Sequence, residues 1–436
     1  MTISSILQQV LHKEGRSAEA VRNILLSLIS KGISIICSLL VVPLTINYLN
    51  PTKYGIWLTL SSIIAWISFF DLGLGNGFRN KFAEAKASGN LKLAHSYVST
   101  TYFIISLIVT AVFVVLAIAN NFLDWTSILK LDAVYKDELK LVFWVLSFFF
   151  CINMVANIFS TLLTADQKPG VASIINGLAS VVSLGAIFIL TKLSSGSLLR
   201  LSIFYSSVPC VVMLVSSVIA YHLTRYKDYR PGIKTIDVKL IKNILSLGIR
   251  FFLIYICMLV IFQVINIVVS RELGPESVTQ YNLAFKYFDI LHKIMIIVIT
   301  PFWSAFTDAY VKKDYDWMKR VVKKLEVVWV YSIIAGLIML AISGLFFKIW
   351  IGDSVVVPFV LCLGMMFYIE AQILGAIYMH LINGIGTIKI QFITYVVFAV
   401  ISLPVLTYAC RFIGIQGVII LPAIVYFVQA ILGKYR

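Results

Sequence analysis

Five polar residues share one face of an otherwise apolar segment in the second half of the chain. They are Asn282, Lys286, Asp289, Lys293 and Thr300. Their spacings of 4, 3, 4 and 7 residues place them within about 60° on an α-helix. Ionisable groups cost about 2.5–3.5 kcal/mol each inside a membrane span, and two cations beside one anion leave a surplus positive charge. The stripe therefore predicts an internal ion-pair ladder or, as we favour, the lining of a polar cavity.

Other ionisable side chains also fall inside apolar segments. Lys31 shares a helix face with three serines, which favours a cavity-lining role. It also lies near enough to the cytoplasmic interface for its ammonium to reach back to water, so the cavity-lining and the snorkelling interpretations both stay open. Arg250 is the equivalent position in the second half of the chain. Glu370 could take up a proton or a cation, and Asp71 is interpreted as a structural or gating partner of Arg79 or of a cation on a neighbouring span.

The GxSxG, HExxH and Walker motifs of common enzyme classes are absent from the sequence. The six cysteines lie in apolar runs without a CxxC pair, as expected for small buried hydrophobic residues. The run GLGNG (73–77) lacks the strand-and-helix context of a dinucleotide-binding loop, and we interpret it as the cytoplasmic end of a span. We predict no catalytic residue and no metal ligand.

The composition indicates that most of the chain lies in a lipid bilayer. Of 436 residues, 60% are hydrophobic and 13% are charged, with a mean hydropathy of +0.95. Soluble domains are nearer about 45–50% apolar and about 25% charged, so we predict an all-α polytopic membrane protein. The twelve predicted spans cover about 22–47, 54–76, 97–119, 139–164, 170–191, 198–223, 244–270, 281–304, 321–346, 355–382, 387–409 and 413–433.

The basic residues predict the orientation in the membrane. The formal net charge is +16, and 23 of the 36 Lys and Arg residues fall on the side that holds both termini, against 8 on the other side. The positive-inside rule therefore places both termini in the cytoplasm. The charge is mostly a topology signal and gives no reason to expect nucleic acid. The clusters 225–242 and 312–324 are candidates for contact with anionic lipid head groups.

The halves of the chain resemble each other. Leu49-Asn50-Pro51 follows span one, and Leu273-Gly274-Pro275 follows span seven. Because six spans separate the two copies, both halves have the same orientation, which predicts a parallel repeat. The predicted divisions are a cytoplasmic tail (1–21), an amino-terminal lobe (22–223), a basic cytoplasmic linker (224–243) and a carboxyl-terminal lobe (244–436).

The stretch LLVVPLTINYLNPTKYGIWLTLSSIIAWISFFDLGLGNGFRNKFAEAKASGN (39–90) resembles the first two spans of polysaccharide-exporting flippases of the O-antigen type. These belong to the multidrug/oligosaccharidyl-lipid/polysaccharide (MOP) superfamily. The matching elements are Pro43, Leu49-Asn50-Pro51, Tyr54-Gly55-Ile56-Trp57, the segment 71–77 and the basic residues after it. Weaker similarity follows at 165–168 and 301–310. The resemblance covers the whole chain in topology, but its sequence-specific part is mainly the first quarter.

The resemblance implies two six-helix lobes, as in MATE transporters, around a central and often cationic cavity. Such proteins move a polyprenyl-pyrophosphate-linked oligosaccharide, the repeat unit of an O-antigen, capsule or exopolysaccharide, across the bacterial inner membrane by alternating access. A diphosphate cannot cross hydrocarbon unless cations replace its water. The cations predicted to meet this head group are Lys31, Arg250, Lys286 and Lys293.

Coupling or gating is assigned to three acidic residues, Asp71, Asp289 and Glu370. The candidate coupling ion is H⁺ or Na⁺, and we expect no other cofactor. The expected partners are the lipid-linked glycan, membrane lipid and a glycan polymerase.

Three alternatives stay open. A drug or cation antiporter of the same superfamily shares the twelve spans, but its cavity should be more acidic. A lipid II flippase should have two further spans. A membrane-bound polysaccharide polymerase or ligase should have a large external loop with catalytic groups, whereas the largest predicted external loop here, 120–138, has under twenty residues.

Overall fold

The computed structural model describes residues 16–65, 74–245, 256–300, 302, 306, 309–310, 312–385 and 388–434. Two predicted site residues, Asp71 and Arg250, lie outside these residues. The described part of the chain forms helices and no strand, so the predicted all-α fold is confirmed.

The first half of the chain contains nine α-helices in the described residues. They are α1 (Arg16–Leu49), α2 (Pro51–Ala65), α3 (Leu74–Ala87), α4 (Leu91–Phe122), α5 (Trp125–Leu129), α6 (Lys136–Ala156), α7 (Ile158–Ala165), α8 (Pro169–Leu193) and α9 (Leu198–Leu223). Helices α6 and α7 are separated at Asn157, whose side-chain amide bonds the Asn153 carbonyl one turn earlier.

The second half continues with a short helix and six longer elements. They are α10 (Leu240–Leu245), α11 (Ile265–Leu273), α12 (Pro275–Ile299), α13 (Tyr315–Ile351), α14 (Phe359–Ile385), α15 (Ile388–Ile413) and α16 (Gly417–Lys434). A π-helical turn, Leu259–Gln263, precedes α11. Such turns are rare and often lie near functional sites.

Ten helical segments of the described residues are long and apolar enough to cross a membrane. The predicted spans 54–76 and 281–304 are not among them. The first of these contains α2, part of α3 and residues that the structure does not describe. The second contains most of α12, which is continuous but carries the polar stripe. The multi-pass architecture is confirmed, and the count of twelve stays a prediction.

The outward faces of several helices are apolar. On α4, Leu107 is 56% exposed and Val115 is 64% exposed, and on α13 Leu345 is 64% exposed. Side chains of this size are rarely left in water in such continuous stripes. These faces fit a hydrocarbon environment, as a membrane-spanning bundle requires.

The chain divides into two compact units. The amino-terminal unit comprises Met1–Tyr48, Ile64–Trp125 and Val134–Phe252. The carboxyl-terminal unit comprises Leu49–Ile63, Thr126–Ala133 and Leu253–Arg436. The lobe and linker boundaries of the sequence stay a prediction.

The two repeated tripeptides form the same local structure. Asn50 and Gly274 both have positive φ, 81° and 89°, and each ends a helix. Asparagine and glycine tolerate this left-handed region best. Pro51 and Pro275 then occupy the first position of the next helix, where the missing N–H costs nothing. Each tripeptide is therefore a sharp turn between two helices.

Within the carboxyl-terminal unit these two turns touch. The Thr279 hydroxyl donates a hydrogen bond to the Pro51 carbonyl at 2.7 Å. A Cβ atom at Gly55 would stand 1.7 Å from the Pro275 carbonyl oxygen, far inside contact distance. Glycine at position 55 is thus required for α2 and α12 to approach this closely.

The basic segment 224–243 is held against α4 of the amino-terminal unit. The hydroxyls of Ser99 and Thr235 lie 2.7 Å apart, and the Asp237 backbone N–H donates to Thr100 Oγ1 at 3.0 Å. His95 Nε2 lies 2.7 Å from the Arg230 carbonyl. This predicted linker is therefore an ordered part of that unit.

Candidate functional site

The predicted polar stripe lies on α12, and its charged residues differ in whether they have an ion-pair partner. Lys293 Nζ lies 2.9 Å from Asp289 Oδ2, one helical turn away. His292 Nδ1 lies 3.2 Å from the other oxygen of Asp289. Both oxygens of this buried carboxylate are therefore occupied. His292 was not predicted as a site residue, although its place three positions after an acid on one helix is a recognisable signal.

Lys286 is treated differently by the fold. Its side chain is half-buried, and no carboxylate of the described residues lies within ion-pair distance of it. Of the predicted ladder Lys286–Asp289–Lys293, only the ion pair between Asp289 and Lys293 forms in the described residues. A half-buried ammonium without a counter-charge is costly, so among the described residues Lys286 is the cation of α12 that remains available to an anionic ligand.

The polar stripe is anchored to the preceding helix at one end. The Asn282 side-chain amide donates to Asn266 Oδ1 on α11 at 3.0 Å and to the Val278 carbonyl at 2.8 Å. These bonds fix the rotation of α12 against α11. They thereby fix the direction in which the face with Lys286 points.

Glu370 lies on α14 and is 4% exposed. Its Oε2 accepts a 2.7 Å hydrogen bond from Ser332 on α13, and its backbone carbonyl accepts one from Trp329 Nε1 at 3.0 Å. Its other oxygen, Oε1, is buried without a hydrogen-bond partner among the described residues. A carboxyl group with one unsatisfied oxygen in a bundle interior is suited to take up a proton or a small cation.

The helices that carry Lys286 and Glu370 pack against each other. Phe285, the residue before Lys286, has its ring 6.3 Å from that of Tyr368, two residues before Glu370. Tyr368 continues to Tyr426 on α16 at 6.1 Å. An aromatic row therefore joins α12, α14 and α16 inside the carboxyl-terminal unit.

Lys31 lies on α1 in the amino-terminal unit and is exposed. The serines on either side of it face α8, where Ser27 bonds Ser173 and Ser34 bonds Ser180, each at 3.1 Å. A cavity of about 310 Å³ opens beside Ser34 and Ser180. The serine stripe therefore both packs helices and lines a cavity, while Lys31 is outside the residues that line it.

An acidic residue that was not predicted as a site residue, Asp166, gathers three partners in the amino-terminal unit. It forms ion pairs with Lys86 of α3 and Arg225, and it accepts a 2.8 Å hydrogen bond from the Tyr226 hydroxyl. Burial alone would raise the pKa of Asp166. The hydrogen bonds from Lys86 and Tyr226 and the charges of Lys86 and Arg225 outweigh burial, so its pKa is lowered.

The roles assigned to Lys31, Lys286, Lys293, Asp289 and Glu370 stay predictions. The structure brings Lys286, Asp289, Lys293 and Glu370 onto two packed helices of one unit, and Lys31 lies in the other unit. The Asp166 cluster escaped sequence reasoning because the partners of Asp166 lie 59 to 80 positions away from it along the chain.

Comparison with known families gives one match. A family model described as "Polysaccharide biosynthesis protein" matches residues 20–306, which is more than half of the chain. Among curated proteins, the "Putative O-antigen export protein" of Yersinia pseudotuberculosis is 22% identical over 86% of this chain and 85% of its own length. The "Putative O-antigen transporter" of Salmonella typhimurium is 22% identical over 64% and 63%.

Solved structures resemble the chain in fold. An inward-facing multidrug-resistance MATE transporter of the MOP superfamily aligns with a TM-score of 0.68 at 18% identity, over 94% of this chain and 96% of that one. A MOP superfamily transporter from Pyrococcus furiosus aligns with a TM-score of 0.62 at 18% identity, over 98% and 96%. The predicted MATE-like fold is confirmed.

Proposed function

Because the chain belongs to the polysaccharide biosynthesis protein family, we propose that it moves a polyprenyl-pyrophosphate-linked oligosaccharide across the bacterial inner membrane. It is a multi-pass transporter of the MOP superfamily. The names of its curated relatives refer to O-antigen export, which supports a glycan as the cargo. The lipid carrier, the membrane and the direction are parts of the proposal.

The observation that carries the proposal is the ammonium of Lys286 on α12, which has no carboxylate partner among the described residues. A pyrophosphate loses its hydration when it leaves water, and a buried cation replaces part of that hydration with a charge-assisted hydrogen bond. Lys293 is already neutralised by Asp289 at 2.9 Å. We therefore assign first contact with the head group to Lys286 and a supporting role to Lys293, Lys31 and Arg250.

Glu370 is the acid that suits ion coupling best, because one of its oxygens is buried and unsatisfied in the described residues. In the proposed cycle it binds and releases H⁺ or Na⁺ as access alternates between the two sides of the membrane. Asp289, held by Lys293 and His292, positions the cations of α12 instead. Asp71 keeps its proposed gating role, and a glycan polymerase is the proposed partner that receives the cargo.

A second candidate is an ion-coupled drug antiporter, since the name of one structural neighbour describes a multidrug resistance transporter. The buried Glu370 fits that chemistry, since an acid attracts a cationic drug. The free ammonium of Lys286 opposes it, because like charges repel in a region of low dielectric. A membrane-bound polymerase is a weaker candidate.

The test is deletion of the protein in its host, followed by measurement of lipid-linked glycan on the cytoplasmic leaflet. We expect accumulation after deletion and restored export with the wild-type chain. The variant Lys286→Gln should reduce export about tenfold or more, as expected when a hydrogen bond to a charged group worth about 1.5–3 kcal/mol is lost.

Two controls accompany this variant. Lys286→Arg keeps the charge and should retain most export. Lys348→Gln removes an exposed charge from the last turn of α13 and should export normally. Normal export by Lys286→Gln at an unchanged protein level would contradict the proposed role of Lys286. A deletion that changes drug resistance but not glycan export would favour the antiporter.

A further inference from the structure

A large cavity opens at one end of the carboxyl-terminal unit, remote in sequence from the stripe on α12. Its volume is about 590 Å³, which falls in the usual range of about 300–1,000 Å³ for ligand sites. It lies where the start of α13 meets the ends of α14 and α16. The proposed function does not use it.

The charged residues of this cavity are mostly cations. Lys319, Lys323 and Lys434 line it, against one acid, Glu326. Glu326 is already engaged, since the Tyr378 hydroxyl donates a hydrogen bond to it and Lys434 Nζ lies 3.5 Å away. Lys319 and Lys323 have no carboxylate of the described residues within ion-pair distance. The cavity therefore carries a net positive charge that nothing in this part of the chain neutralises.

The position of these two lysines strengthens the need for an anion. Lys319 and Lys323 are one turn apart on α13, and like charges at this spacing repel. This repulsion is relieved by an anionic group bound between the two ammonium groups.

The remaining walls are apolar. Met318 and Ile382 are buried at 6% and 2% exposure, and Val322, Leu381 and Ile385 complete the lining. At the rim, Tyr310 and Tyr315 are partly exposed with ring centroids 6.2 Å apart. Aromatic side chains of this kind are typical of the boundary between membrane and water. A ligand that fits must carry an anionic head and an apolar body.

We propose that this cavity binds the phosphate head group of an anionic phospholipid of the cytoplasmic leaflet. The ammonium groups of Lys319 and Lys323 hold the phosphate, and the acyl chains leave along Val322 and Leu381 into the bilayer. We choose the cytoplasmic leaflet because Lys319 and Lys323 belong to the basic cluster 312–324, which the positive-inside rule places in the cytoplasm.

The proposal is tested by binding, so its outcome does not depend on transport. Native mass spectrometry of the full chain in detergent, titrated with phosphatidylglycerol, should show a bound lipid that phosphatidylcholine does not replace. Lys319→Gln combined with Lys323→Gln should weaken this binding about thirty-fold, at about 1 kcal/mol for each lysine near an anionic lipid. The matched control removes two exposed charges from the last turns of α8 and α13, Lys192→Gln with Lys348→Gln, and should bind like the wild type.

Three results would overturn the proposal. Equal losses in both double variants would mean a general effect of net charge. Full competition by inorganic phosphate or pyrophosphate would mean a site for soluble anions. Displacement by a polyprenyl pyrophosphate at a far lower concentration than by phosphatidylglycerol would make the cavity a substrate site. If the Lys319/Lys323 variant is poorly folded, Val322→Trp, which fills the apolar wall and keeps both charges, should lose the lipid as well.

Discussion

At the scale of single residues, the same side chain has different consequences in different surroundings. Lys286 and Lys293 are seven positions apart on one face of α12, yet only Lys293 has a carboxylate partner in the described residues. Among the acids, Asp289 has both oxygens occupied, and Glu370 has one that is not. Chemistry that requires a free charge is therefore concentrated at Lys286 and Glu370.

Replacement of Glu370 by glutamine should separate coupling from stability. Gln keeps the shape of a protonated carboxyl and can still accept the Ser332 hydrogen bond. We expect transport driven by an ion gradient to fall sharply, while the thermal unfolding temperature in detergent stays within a few degrees of the wild type. Glu370→Ala should also lower the unfolding temperature, because the hydrogen bond between Ser332 and the carboxyl group is lost and truncation of the buried side chain leaves a cavity. Gradient-driven transport by Glu370→Gln at the wild-type rate would remove Glu370 from the coupling mechanism.

Asp166 predicts a dependence of stability on pH. Its pKa is lowered in the folded chain, so its contribution is complete above the unfolded value of about 3.9 and is lost as the pH falls through the lower folded value. Asp166→Asn should cost about 3 kcal/mol at pH 7, because Lys86 and Arg225 lose their shared partner.

The measurement is the unfolding temperature of both proteins in detergent from pH 7 to pH 3. The difference between wild type and Asp166→Asn should shrink toward the acid end, where the wild-type carboxyl is protonated. A difference that is constant over this range would show that the charge of Asp166 does not stabilise the cluster.

At the scale of elements, the helix junctions carry most of the close contacts. The turns at Asn50-Pro51 and Gly274-Pro275 both have a positive φ before the proline, and they pack against each other through Gly55 and Thr279. In the amino-terminal unit, Gly77 allows α3 to approach α10 closely, since a Cβ atom at this position would lie 2.0 Å from the Ile244 carbonyl oxygen. Glycines of the sequence motifs thus permit backbone contact, and they do not hold a phosphate.

Gly55→Ala should therefore destabilise the carboxyl-terminal unit. The added methyl overlaps the Pro275 carbonyl, and relief requires α2 and α12 to separate, at a cost of about 3 kcal/mol. Gly185→Ala is the matched control, because nothing lies within 4 Å of the added atom on α8. That variant should be neutral or slightly more stable, since alanine favours the helix. Equal unfolding temperatures for the two variants would contradict the packing argument.

At the scale of the whole molecule, the apolar helices and the distribution of basic residues make one prediction about topology. Ten described segments are able to cross a membrane, and an even total of twelve would return both termini to one side. The excess of Lys and Arg on the loops of that side places it in the cytoplasm.

Fusion reporters test this arrangement. Alkaline phosphatase inserted after Lys130, in the predicted external loop, should be active, and green fluorescent protein after residue 436 should be fluorescent. The reciprocal fusions should both be silent. An active phosphatase at the carboxyl terminus would contradict the predicted topology and would place the cavity between α13, α14 and α16 at the external leaflet.

The sequence by itself determined the features that are local or periodic. Runs of apolar residues specify membrane helices, and the spacing of Lys286, Asp289 and Lys293 specifies one helix face, because an α-helix repeats every 3.6 residues. The resemblance in residues 39–90 added the family. Tertiary structure alone decided which charges are neutralised. Three features depend on contacts between residues at least 38 positions apart: the ion pairs of Asp166, the hydrogen bond from Ser332 to Glu370, and the cavity lined by Lys319 and Lys434. No local sequence pattern encodes such contacts.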